Sequence, residues 1–230
     1  MNESGMDSAD GGSAGVSPVS PQPTVLVTGA TGRFPLSVAL QLLEAGVEPA
    51  DGAVLVVSET SPTSLVQELT SEPLGLDRDE LVVVDCRRAA NPDAVDAGRV
   101  RRVESHGSAL AVDREVRDGL DWLADRGIER RHFLFDALTV DERLPDPDAV
   151  YDLAYELAMT VGAEDGLGAV VVDSAGLSTD DVHRLGHLFD VHLELERGEA
   201  GPQVRWTGLL DGSDGWLPVE QVDFRATDFR

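Results

Sequence analysis

The chain has 230 residues, 42% of them hydrophobic, with 43 acidic against 18 basic side chains and a formal net charge of -25. That length suits one α/β-sized domain with a sizeable core rather than two full domains, and so acidic a surface argues against nucleic acid as a partner, because non-specific binding depends on cationic side chains displacing counterions. The single cysteine, Cys86, excludes an internal disulfide and a multi-cysteine metal cage, and no run of about eighteen apolar residues is present to span a membrane.

Residues 1–22 are rich in Gly, Ser, Asp and Pro and nearly free of large apolar side chains. They cannot repay the entropy of ordering, and they lack both the basic region and the apolar core of a signal peptide. The expectation is a disordered acidic tail on a soluble cytoplasmic protein. From Thr24 the texture changes to short β-branched runs, VLV at 25–27, AVLVV at 53–57, LVVV at 81–84, HFLF at 132–135 and AVVV at 169–172, which read as buried parallel strands. Apolar stripes with helical spacing lie between them, at Val112, Val116, Leu120 and Leu123, and at Val150, Leu153, Ala154, Leu157 and Val161.

Beyond Asp190 the helical pattern stops. VHLELE and QVRWTGLL flank the turn-rich GEAGP and predict a β-hairpin that extends the sheet. The fold class is therefore α/β, a three-layer, mainly parallel sheet with helices on both faces and a C-terminal β-hairpin, over residues 23–218, followed by a tail at 219–230. Its binding crevice is expected at the carboxyl ends of the strands.

The stretch VLVTGATGRFPLSVALQLLEAG at 25–46 carries the most chemistry. It resembles a P-loop beginning at Gly29, with Gly32 as the internal glycine, but Phe34, Pro35 and Leu36 fall where that pattern has glycine, lysine and serine or threonine. Phe34 puts a ring where backbone must approach phosphate, Pro35 has neither an N–H nor a charge, and Leu36 cannot hold magnesium. Proline is tolerated in a first helical turn, so the fold survives what the chemistry does not. Gly29, Thr31, Gly32, Arg33 and Ser37 are the positions of a vestigial phosphate loop. The same stretch resembles the TGxxGxxG opening of short-chain dehydrogenases, which would bind NAD(P). That family's tyrosine followed four residues later by lysine is not met, since Tyr151 is followed by Tyr155 and all 18 basic residues are arginine.

Downstream segments resemble KaiC-like members of the RecA-like P-loop ATPase superfamily. VVSETSPTSLVQEL matches the strand and capped helix that carry two glutamates in that family, here Glu59 and Thr60, and RRHFLFDALT matches a Walker B strand ending at Asp136. The order of the later segments, through LFD and GWLPV, and an acidic, lysine-free composition resemble a haloarchaeal KaiC-like group with a degenerate Walker A motif. This implies a RecA-like sheet in which the strand ending at Val27 is central and lies beside the strand ending at Phe135. It implies a non-catalytic interaction or regulatory protein with no expected cofactor, Glu59 and Asp136 being relics. It also implies a protein partner or homo-oligomer, with neither nucleic acid nor membrane. The alternative is a weak ATP-binding switch with magnesium at Asp136, and a third reading is an NAD(P)-binding protein without dehydrogenase chemistry.

Other chemistry-bearing residues have blander readings beside the sharper ones. Asp136 can serve simply to hold the neighbouring loop, and Glu59 can be a surface acid. Cys86, after an apolar strand, reads as a small core residue. His183 and His187 stand at i and i+4, a spacing that can ligate zinc with His192 or Asp190, but it also describes one helix face. Arg87, Arg88, Arg99, Arg101 and Arg102 form the basic neighbourhood, suited to reaching a neighbour's nucleotide or to pairing with the chain's own acids.

Overall fold

The structure, a computed structural model, describes residues 23–30, 33–72, 74–87, 97–103, 109–139, 144, 146–199, 201–208 and 215–221. The expected N-terminal tail, Thr31, Gly32, Arg88 and residues 222–230 lie outside them. In chain order the elements are β1 (Thr24–Gly29), α1 (Arg33–Gly46), β2 (Gly52–Val57), α2 (Pro62–Thr70), β3 (Leu81–Asp85), β4 (Arg99–Arg102) and α3 (Ala109–Asp125). There follow β5 (Arg131–Leu138), α4 (Pro147–Val161), β6 (Gly168–Asp173), α5 (Thr179–Gly186), β7 (Val191–Gly198), β8 (Gly201–Gly208) and β9 (Leu217–Pro218).

The strands form one sheet in the order β4-β3-β2-β5-β6-β1-β7-β8-β9. Pairing is parallel from β4 to β7, and β8 and β9 close it antiparallel. Alternation along each strand divides the core between the two faces. Val25, Val27, Leu55, Val83, Leu134 and Val171 pack with α1 and α2, while Leu26, Val54, Val56, Phe133, Phe135 and Val170 pack with residues of α3, α4 and α5. Both faces of the inner strands are therefore apolar, which is why their sequences read as unbroken hydrophobic runs. Helix starts are written locally: Asp146 caps α4 before Pro147 by accepting from Ala149 N–H at 2.8 Å, and Ser178 with Asp181 forms a capping box on α5.

One expectation about the sheet needs correction. The first strand is central, but it does not lie beside the one ending at Phe135, because β6 stands between them. An AVVV strand buried on both faces gains most from that inner position. The dehydrogenase order is also absent: β2 sits between β3 and β5, and β1 sits between β6 and β7. The strand β4 was not anticipated. Among the described residues, no helix is long and apolar enough to cross a membrane.

β7 is tied to β1 by a buried polar contact as well as by its ladder. Thr28 Oγ1 lies 2.8 Å from His192 Nε2, and the imidazole is accommodated because residue 186 is glycine, where a Cβ would stand 2.6 Å from Nδ1. Burial lowers the His192 pKa from 6.5 to about 4, with Arg205, His183 and His187 adding to the shift and the Glu194 carboxylate opposing it. As pH falls the unfolded chain takes up this proton first. Stability is thus complete above 6.5 and is lost between 6.5 and about 4, by roughly 3 kcal/mol from this group. Denaturant unfolding in molar KCl at neutral and mildly acid pH checks it: His192→Gln, which keeps a polar partner for Thr28, should show a shallower acid loss than the parent, and equal slopes would refute the assignment.

Candidate functional site

At the carboxyl ends of β2 and β5 a cleft of about 340 Å³ opens between the first turns of α1 and α2. Asp136, Ala137 and Leu36 line it together with Glu59, Thr60, Ser61 and Ser64, and Arg33 stands at its edge. Two of the expected relic residues, Glu59 and Asp136, are thus brought together with one of the loop residues.

Asp136 falls where the ladder between β5 and β6 shifts register, between Phe135 and Leu138. Such irregularities re-aim a side chain at the end of a strand. Only 2% of Asp136 is exposed, and its carboxylate is turned onto the loop that follows β2. Oδ1 accepts from Ser58 N–H at 2.8 Å, and Oδ2 accepts from Thr60 N–H at 2.6 Å and Glu59 N–H at 3.2 Å. Ser58 Oγ lies 2.8 Å from Oδ1 and 2.5 Å from the Ala137 carbonyl oxygen, so its single proton serves one of the two. Three successive backbone donors thus hold an anion, and the anion is the protein's own. A magnesium ion at this carboxylate would compete with three backbone donors for the same two oxygens, so the residues present do not fit a metal shell without rearrangement.

The other loop residues are similarly engaged. A Cβ added at Gly29 would stand 3.0 Å from Pro35 Cγ and 3.2 Å from Leu195 Cβ, so the proline ring lies over the end of β1. Pro35 and Leu36 are buried, and Phe34 packs against the core on the α1 face. The Ser37 hydroxyl donates to the Phe34 carbonyl at 2.7 Å, within its own helix. Arg33 Nη2 reaches Glu68 at 3.3 Å with 76% of its side chain exposed, a pair worth little in water. Thr31 and Gly32 lie outside the described residues.

Residues suspected of metal or nucleotide chemistry are placed elsewhere. The Asp190 carboxylate accepts from Thr24 N–H and Oγ1, both at 2.9 Å, at the opposite end of β1 from the cleft. His183 and His187 stack on each other with ring centroids 5.0 Å apart, and no three potential ligands converge among the described residues. Cys86 is buried in the core on the α3 side. Three of the five arginines engage the chain's own groups: Arg87 forms a two-pronged pair with buried Asp85, Arg101 bonds Glu115 and Asp118, and Arg99 lies over Trp122 at 5.8 Å, while Arg102 is exposed. Sequence reading had Asp136 holding the neighbouring loop but did not specify the three backbone N–H groups it meets there. The SETS tetrapeptide after β2, rich in small polar residues suited to a tight turn, is a signal that could have pointed there.

The fold and the cleft define a protein of RecA/KaiC-like architecture. Residues 23–195 match the sequence model of DUF7504, a family of unknown function, and the chain belongs to that family. Among solved structures it is similar to the KaiC-like protein PH0186 from the hyperthermophilic archaeon Pyrococcus horikoshii OT3, with TM-score 0.54 and 14% identity over 86% of this chain and 84% of that one. It is also similar to the uncharacterized protein PH0321 from Pyrococcus horikoshii, solved in complex with an unknown peptide, with TM-score 0.57 and 11% identity over 83% of this chain and 84% of that one. Identities this low speak for the fold alone. No curated protein matches the chain.

The geometry predicts that Asp136→Asn, which replaces one accepting oxygen with an amide donor facing backbone N–H groups, lowers unfolding free energy by about 1–3 kcal/mol. Denaturant melts in molar KCl would register this, and unchanged stability would show that the carboxylate is not what holds the loop.

Proposed function

We propose that this chain is a non-catalytic interaction or regulatory protein, a pseudo-ATPase built on the RecA/KaiC-like fold and working in the cytoplasm of a halophilic archaeon. The observation that carries the reading is the Asp136 carboxylate, committed to the backbone of Ser58, Glu59 and Thr60 rather than left to a metal shell. Its support is strengthened by the lysine-free sequence, since phosphoryl transfer depends on fixed cations that neutralise charge developing on the γ-phosphate. Pro35 and Leu36, buried at the positions of the P-loop lysine and hydroxyl, point the same way. Dispersed carboxylates with arginine as the sole strong base support the halophilic origin, because such a surface stays hydrated where long-range repulsion is screened. The peptide held by PH0321 supports a protein or peptide as the partner of this scaffold.

A second reading is favoured by the cleft itself. Arg33 at its edge and the hydroxyls of Thr60, Ser61 and Ser64 within it suit a weakly held phosphorylated ligand, which is the ATP-binding switch. The NAD(P) reading has lost the strand order it needs.

Purified protein in molar KCl should hydrolyse ATP no faster than a control preparation, and titration calorimetry with Mg-ATP and with NAD should give no saturable heat. Turnover that survives repurification and disappears in Glu59→Gln would overturn the pseudo-ATPase proposal. Saturable ATP binding at millimolar concentration or tighter, without turnover, would favour the switch.

A further inference from the structure

The chain has five histidines, and the described ones divide into two kinds. His132 is buried, with Nε2 2.9 Å from Asp51 Oδ2 and Nδ1 accepting from Leu167 N–H at 3.1 Å. His192 is buried too, with Nε2 on Thr28 and Nδ1 against Gly186. Neither ring has a nitrogen open to a ligand. His183 and His187 are both exposed, and their rings face each other with centroids 5.0 Å apart and planes 22° from parallel. Neither makes a hydrogen bond or an ion pair among the described residues.

The backbone sets this geometry. His183 lies in the last turn of α5, and His187 caps the helix with φ -75° and ψ -9°, so the helical path continues through the i+4 position and stacks the two rings one turn apart. Two nitrogens bound to one ion at about 2.0–2.1 Å each stand no more than about 4 Å apart, which rings at this separation reach by side-chain rotation alone. A cation placed there also meets the last carbonyls of α5, where the helix carries partial negative charge. The neighbouring cation, Arg184, is turned toward α4, over the Tyr151 ring and 3.2 Å from Asp148.

We infer that His183 and His187 chelate one divalent transition-metal ion at the C-terminal end of α5. Two imidazoles select copper, nickel or zinc over magnesium or calcium, which take oxygen ligands. The remaining positions fall to water, so the ion is exchangeable rather than enclosed as in a four-ligand structural site. His187 stands just before Asp190, whose carboxylate is held at the opposite end of β1 from the cleft. The metal site is therefore separate from the cleft and independent of whether nucleotide binds there.

Titration calorimetry of untagged protein in molar KCl should give one Ni(II) per chain, tighter binding of Cu(II), and no saturable heat with Mg(II) at the same concentrations. His183→Gln and His187→Gln should each stay folded, because both side chains are exposed. Each should weaken Ni(II) binding by about tenfold or more, since loss of an outer-shell partner alone costs that much at metal sites. Paramagnetic resonance of the Cu(II) form should show two imidazole nitrogens in the parent and one in either variant. His106→Gln, which removes the remaining histidine, should bind like the parent. The inference is overturned if the parent shows no saturable binding of Ni(II) or Cu(II) below millimolar concentration, if the variant lacking both His183 and His187 binds as the parent does, or if His106→Gln abolishes binding.

Discussion

A carboxylate as secluded as that of Asp136 costs several kcal/mol in lost hydration unless its oxygens are met by donors. Here the loop after β2 meets them, with three consecutive N–H groups and the option of a hydroxyl. The dependence runs both ways. Without the carboxylate, the backbone donors of residues 58–60 would lose the acceptor they share; with it, the loop is fixed and α2 starts at Pro62 in a set direction. The cleft exists because that loop is held back against β5, and its chemistry is limited for the same reason.

This constraint relates the scaffold to what the site can do. In a sheet with helices on both faces, the carboxyl ends of the strands are where backbone donors and strand-end side chains converge, and ligands bind there because those groups are otherwise unmet. In this chain the convergence is satisfied internally. Pro35 lies over Gly29, Leu36 joins the core, Ser37 bonds its own helix, and Arg33 leans to Glu68. Among the described residues, the cleft is faced by the hydroxyl-bearing Thr60, Ser61 and Ser64, by Glu59, and by Arg33 at its edge.

Much of the fold was legible because it rests on local periodicity. The runs at 25–27, 53–57, 81–84, 132–135 and 169–172 became β1, β2, β3, β5 and β6, and the stripes at Val112 to Leu123 and Val150 to Val161 became buried faces of α3 and α4. The strand β4 escaped because RVRR alternates arginine with a lone valine on an edge, where half-burial leaves little apolar signal. Strand order escaped in part: nothing local to AVVV says that it inserts between β5 and β1. At the site, residue types pointed to the right neighbourhood, and Asp136 and Glu59 do line one cleft. Which way Asp136 faces was not legible, since it follows from a register shift between two strands far apart in sequence. The inward pairing of Arg87, Arg99 and Arg101 likewise depends on what the sheet brings beside them.

We propose that the carboxylate of Asp136 serves the loop after β2 rather than a metal. The most direct measurement is a crystal structure grown in molar KCl with excess magnesium and a non-hydrolysable ATP analogue. Asp136 should keep its bonds to the N–H groups of Ser58, Glu59 and Thr60, with no magnesium in its shell. A magnesium ion ligated through Asp136, with residues 58–60 displaced and triphosphate seated at the start of α1, would contradict it.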